Sequence, residues 1–212
     1  MANNTHKYGF RWSTAYNGGK SCPAPERWSI ATGTDFTDDN SNSVKLSIGD
    51  VVKIVSTGDI DICEDTASPY GVVVGFEPHW DGEVMKPANS IPNQHAWGTI
   101  EARRPWALVV PATAGAWEAD VDDNTTATTF AAYQAFVGEN VNHFSAGNTT
   151  AGTADPRIDI SSHATTAALD WRILAISRTA ENKDFSGTNV KLIVTANTSQ
   201  RAGQAATTIL GV

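Results

Sequence analysis

From residue 44 onward the chain alternates short apolar runs with polar punctuation. Segments 44–48, 51–55 and 60–63 are β-branched runs separated by Gly-Asp pairs, and a Ser68-Pro69 turn leads into 70–76, Tyr-Gly-Val-Val-Val-Gly-Phe. Runs this short, rich in Val and Ile and bounded by turn residues, predict strands rather than helices. Further strands are predicted at 106–111, 116–121, 141–144, 157–160, 169–177 and 190–196. Segments 169–177 and 190–196 are nearly continuous in apolar character, as expected of central strands. Residues 128–137 are the one helical candidate: Phe130, Tyr133 and Val137 recur at helical spacing, Thr128 or Thr129 can cap the start, and Gly138 suits the end. The spacing of short strands predicts an all-β protein of one or two small β-barrels with one short helix.

The two ends of the chain have a different texture. Residues 1–43 show no sustained period and carry Pro23 and Pro25, yet they hold Tyr8, Phe10, Trp12, Tyr16, Trp28 and Phe36. Aromatic groups are costly to leave in water, so this segment must lie on something, its own body or a partner. Residues 1–43 are read as an extended N-terminal arm, 44–200 as the body with a long excursion at 77–104, and 201–212 as a C-terminal tail. In an extended arm Tyr8, Phe10 and Trp12 share one side while Arg11 projects from the other, and Arg27-Trp28 repeats the cation–aromatic theme. Arg, Tyr and Trp are enriched at binding hot spots. Tyr8, Phe10, Arg11, Trp12, Arg27 and Trp28 are therefore the candidate partner-binding residues, with back-folding onto the chain's own body as the competing expectation.

Charge sharpens this division. The net charge is −8, distributed as +3 over residues 1–30, −8 over 31–100 and −3 over 101–212. A basic arm on an acidic body suits an acidic partner surface, including a second copy. The acidic balance argues against nucleic acid, since phosphate contacts need clustered Lys and Arg. No run approaches ~18 apolar residues, so no membrane-spanning helix is expected. The opening MANNTHKYGF lacks the apolar stretch of a secretory signal, so synthesis in a cytoplasm is expected, with function there or in a particle assembled there. Cys22 and Cys63 have no metal spacing and read as ordinary thiols.

The search for chemistry finds no compact motif. Nucleophile-elbow, P-loop, dinucleotide-binding and zinc-protease patterns are missing from the sequence. His79 and His95 share the excursion with Asp81 and Glu83, but their spacing matches no metal motif. Asp120, Asp122, Asp123 and Asn124 offer oxygen ligands, yet lack the glycine and distal Glu of a calcium loop, and read as a strand end entering a turn. Ser, His and Asp are plentiful, so a dispersed triad is compatible with the sequence, but nothing in it selects one. The expectation is no enzymatic activity, no metal and no cofactor. Trp80 and Trp97 in the excursion are candidates for sugar stacking, which makes a carbohydrate-binding virion module the alternative reading.

Two stretches carry a resemblance. They are 49–76, GDVVKIVSTGDIDICEDTASPYGVVVGF, and 117–161, followed by WRILAISRTAENKDFSGTNVKLIVTAN. Within them the AYQ-x-x-VGEN block at 132–140, the D-x-S block at 159–161 and the late VKLIVTAN strand are the sharpest pieces. This texture resembles structural virion proteins of tailed bacteriophages, in particular the small β-barrel cement (head decoration) proteins. The resemblance implies a capsid-exterior protein, assembled in the host cytoplasm, that binds the lattice of the major capsid protein. It would stabilise the head against DNA packaging pressure and associate with copies of itself as a dimer or trimer. It transfers no functional residue.

Overall fold

The computed structural model describes residues 9–31, 45–65, 67–81, 84–86, 90–91, 106–122, 125–145, 156–186 and 189–200. The chain opens with two short strands, β1 (Arg11–Trp12) and β2 (Glu26–Ser29). The Val/Ile-rich runs follow as β3 (Leu46–Ser47), β4 (Val51–Ile54), β5 (Ile60–Ile62) and β6 (Gly71–Phe76). The excursion contributes β7 (His79–Asp81), β8 (Val84–Lys86) and β9 (Ser90–Ile91). Then come β10 (Trp106–Pro111), a 3₁₀ turn at Ala112–Ala114 and β11 (Ala116–Asp120). Helix α1 (Phe130–Ala135) begins where the Thr129 hydroxyl accepts the Ala132 amide, the cap its sequence provides. The chain ends in β12 (Asn140–Ser145), β13 (Pro156–Ala164), β14 (Trp171–Ile176) and β15 (Lys191–Ala196).

These strands form an all-β structure of two main antiparallel sheets. One has six strands in the order β1-β11-β15-β14-β12-β13, and the other has five in the order β2-β10-β6-β4-β5. Two small ladders, β3-β9 and β7-β8, complete the set. The expected β-barrels are not formed. Among the described residues each sheet has a single parallel bridge, Val121 to Ile158 in the larger and Ile30 to Ile60 in the smaller. Closing a barrel requires a continuous ladder with a fixed strand tilt and stagger. β2 and β5, with four and three residues, are too short to supply one. The open sheets overturn the resemblance to small β-barrel cement proteins, because strand texture fixes strand positions but not closure.

The five-stranded sheet is buried on both faces, and alternation decides which residue goes where. Val51, Val72 and Val110 join a core shared with the six-stranded sheet, together with Trp117, Tyr133, Ile158, Ile160, Trp171, Leu192 and Val194. Their neighbours Val52, Val73 and Val109 turn the other way, into a smaller cluster with Ile30, Leu46, Ile60, Ile62 and Tyr70. Gly71 permits the close approach of β6 to β10: a Cβ there would meet the Val110 carbonyl oxygen at 2.5 Å.

The described part of the N-terminal segment, residues 9–31, is built into these sheets. β1 is an edge of the larger sheet, with Arg11 opposite Glu118 and Trp12 opposite Trp117. β2 is an edge of the smaller sheet, with Trp28 opposite Ala107.

Candidate functional site

The residues singled out as partner-binding are engaged with the chain's own body where they are described. Phe10 is 2% exposed, and its ring lies 4.6 Å from that of Trp171. Trp12 meets Trp117 edge-on at 5.5 Å and donates its indole N–H to the Lys20 carbonyl at 3.0 Å. Arg11 Nε donates to Glu118 Oε1 at 2.8 Å. Arg27 stacks 4.1 Å over the Trp106 ring and pairs with Glu77 at 2.8 Å. Trp28 packs edge-on against Tyr70 at 4.9 Å, and Tyr70 donates its phenol O–H to Glu26. Alternation along the extended stretch puts Phe10 and Trp12 on the core side and Arg11 on the other. Tyr8 lies outside the described residues.

Several other candidates also lie outside them. His95 and Trp97 are among these, as are Glu83, Asp123 and Asn124; for His79, Trp80 and Asp81 only the strand is described. Asp122 Oδ1 accepts the Ile160 amide at 3.3 Å, a tie between β13 and the end of β11. Among the described residues no group of three or more His, Cys, Asp or Glu side chains is arranged to hold a metal ion.

The structure does select one acid–base–nucleophile constellation that the sequence left unselected: Cys63, His143 and Asp170. Cys63 directly follows β5 of the smaller sheet, His143 lies in β12 of the larger one, and Asp170 leads into β14. His143 Nε2 is 2.9 Å from the Cys63 carbonyl oxygen, across 80 residues of chain. Its Nδ1 is 3.3 Å from Asp170 Oδ2, an ion-pair contact rather than a well-aligned hydrogen bond. The other Asp170 oxygen accepts from Thr198 Oγ1 at 2.9 Å. His143 has no exposure, and the Cys63 thiol donates to the Ala67 carbonyl oxygen at 2.9 Å.

Electrostatics decide what this group can do. Burial pulls the His143 pKa down, but the Asp170 carboxylate and the contact with Cys63 outweigh it and hold the imidazole well above its ordinary range. Burial pushes the Cys63 thiol up, against an opposing pull from His143. A nucleophilic cysteine needs the reverse, a depressed pKa and access to substrate. This group is therefore a charged tie between two sheets: imidazolium between a carbonyl and a carboxylate, sealed from solvent.

Access to solvent is found elsewhere. A cleft of about 350 Å³ opens on the outer face of the larger sheet, with Tyr16 at its side and Ala175, Ile176 and Ile193 along its wall. Buried Glu118 also lines it, held by Arg11 and by the Ser177 hydroxyl. Tyr16 and Phe130 are the exposed large hydrophobic residues among those described. Comparison with known protein families, with characterised proteins and with solved structures finds no match.

Proposed function

We propose that this chain is a non-catalytic structural protein that binds the outer surface of an assembled protein lattice, such as that of a major capsid protein, and reinforces it. The non-catalytic half of this reading is supported by the sealed Cys63–His143–Asp170 group, and the binding half by exposed Tyr16 beside an open cleft. The described residues gather a nucleophile, a base and an acid in one place, and there the thiol is pushed up in pKa by burial, hydrogen-bonded to a carbonyl and out of reach. Its chemistry is spent on joining two sheets.

The lattice contact passes from the N-terminal aromatics, which serve the chain's own core, to exposed Tyr16 and the cleft beside it. On a repeating lattice each weak contact gains by multivalency, and self-association into a dimer or trimer multiplies it. The reading places the protein on the exterior of a particle.

The test is sedimentation with empty capsid shells formed by a major capsid protein. Saturable binding at a fixed ratio to lattice subunits, reduced about tenfold or more by Tyr16→Ala, is expected, since hot-spot aromatics contribute ~2 kcal/mol or more. Saturable turnover of an ester, peptide or glycan that Cys63→Ala abolishes would overturn it.

A further inference from the structure

We infer that Lys191 and Asp120 are the two ends of an intramolecular isopeptide bond, a covalent rung between β15 and β11. Lys191 is fully buried and Asp120 is 4% exposed. They stand directly opposite each other in the antiparallel ladder, and Lys191 Nζ lies 3.7 Å from Asp120 Oδ1. Holding the amine beside the one carboxyl group it would acylate is what turns an improbable bimolecular condensation into an accessible intramolecular one.

The geometry is fixed by the backbone around Lys191. Its amide donates to Asn182 Oδ1 at 3.0 Å. Its carbonyl accepts from Asn182 Nδ2 at 2.9 Å and from the Ser177 amide at 3.0 Å. One residue further, the Val121 amide donates to the Val190 carbonyl at 2.8 Å, which holds the register beside Asp120. Both side chains thus sit at the β11–β15 ladder, where Asn182 fastens the backbone of Ser177 and of Lys191. Burying two opposite charges is costly, and a neutral amide is a cheaper occupant of the same space.

The step balances without an outside reagent. A proton passes from the Lys191 ammonium to the Asp120 carboxylate, leaving an amine and a carboxylic acid. The amine nitrogen attacks Asp120 Cγ. The acid's hydroxyl then departs with one amine proton as water. An N–C bond forms, a C–O bond breaks, and nothing is oxidised or reduced.

The test is denaturing intact-mass spectrometry of the purified full chain, with the initiator Met accounted for. The expected mass is about 18 Da below that of the sequence, the loss of one water. A protease digest should contain a branched peptide joining the segments with Asp120 and Lys191. Lys191→Arg and Asp120→Ala should each restore the full sequence mass while keeping the wild-type far-UV circular dichroism, since a variant that failed to fold would lack the bond for that reason alone. Asp120→Asn should form the same bond with loss of ammonia and arrive at the wild-type mass. A full-length wild-type mass would overturn the inference. So would a deficit of one water that maps to a ring within one peptide, such as a succinimide at Asp81-Gly82, or one that survives Lys191→Arg.

Discussion

The six-stranded and five-stranded sheets solve the same problem with different materials. The larger sheet packs with aromatic bulk: Trp117, Trp171, Tyr133 and Phe10 are all buried in the core it shares with its neighbour. The smaller sheet's own cluster is almost entirely aliphatic, built on Val52, Val73, Val109, Ile30 and Ile60, with Tyr70 as its one buried ring. Polar burial is divided just as unevenly. Glu118, Asp120, Lys191, His143 and Asp170 all lie on or beside the larger sheet. The smaller sheet holds Asp59 against the Ser29 and Thr57 hydroxyls. The larger sheet thus carries both the largest packing contribution and the costliest electrostatics. The smaller one is a simple β-branched sheet that depends on its neighbour for the second face of its core.

Trp171→Ala tests this asymmetry hardest. It deletes the ring that Phe10 packs on at the junction, and large-to-small core changes of this kind cost about 3–5 kcal/mol. Urea denaturation should show a single destabilised transition for both sheets. If hydrogen exchange instead showed β4, β6 and β10 still fully protected while β14 and β15 opened, the shared-core description would fail.

The inter-sheet tie comes next. Asp170→Ala leaves a buried imidazole without its counter-charge, a loss of about 3 kcal/mol. The wild-type tie also makes stability depend on pH. The folded pKa of His143 lies above its unfolded value, so its contribution is fully present below about pH 6.5 and is lost as pH rises through the folded value. Urea midpoints should therefore fall on going from about pH 6 to about pH 9, and the slope should flatten in His143→Gln. An equal slope in that variant would assign the pH dependence to another group.

A smaller effect is expected at Gly71. Adding a Cβ forces β6 away from the Val110 carbonyl, and overpacking of this sort costs about 1–3 kcal/mol. Chemical denaturation of Gly71→Ala should show the loss, with the damage confined to protection in β4, β6 and β10. Least of all, Arg27→Ala removes a stacked cation and an exposed ion pair from β2, worth about 0.5–1 kcal/mol together. A loss as large as that of Trp171→Ala would mean that β2 is a keystone rather than an edge.

Strand positions in the body were legible in the sequence, because Val/Ile runs between Gly and Pro have few alternatives. Predicted 51–55, 106–111 and 190–196 correspond to Val51–Ile54, Trp106–Pro111 and Lys191–Ala196. The helix was legible through Phe130, Tyr133 and the Thr129 cap. β1 and β2 were not, since two to four residues are too few to display a period and their partners Glu118 and Ala107 are far away in sequence. Closure was not legible either, because it depends on how distant edges meet. The Cys63–His143–Asp170 group had no local signature: its first link runs through a main-chain carbonyl, which every residue possesses. Five histidines offered themselves; of the two whose side chains are described, His143 is buried between the sheets and His163 is not.

The packing of Phe10 against Trp171 also sets the order in which the molecule can be made. The ribosome delivers Phe10 well before β11, β14 and β15, and its ring waits until those strands have been synthesised before it has anywhere to go. During that interval the Phe10 and Trp12 side chains travel exposed on the nascent polypeptide, a standing invitation to chaperones or to misassembly with a neighbouring chain. Pairings so distant along the chain also slow the search for the final topology. The core therefore closes late, on a segment made long before the strands it packs against.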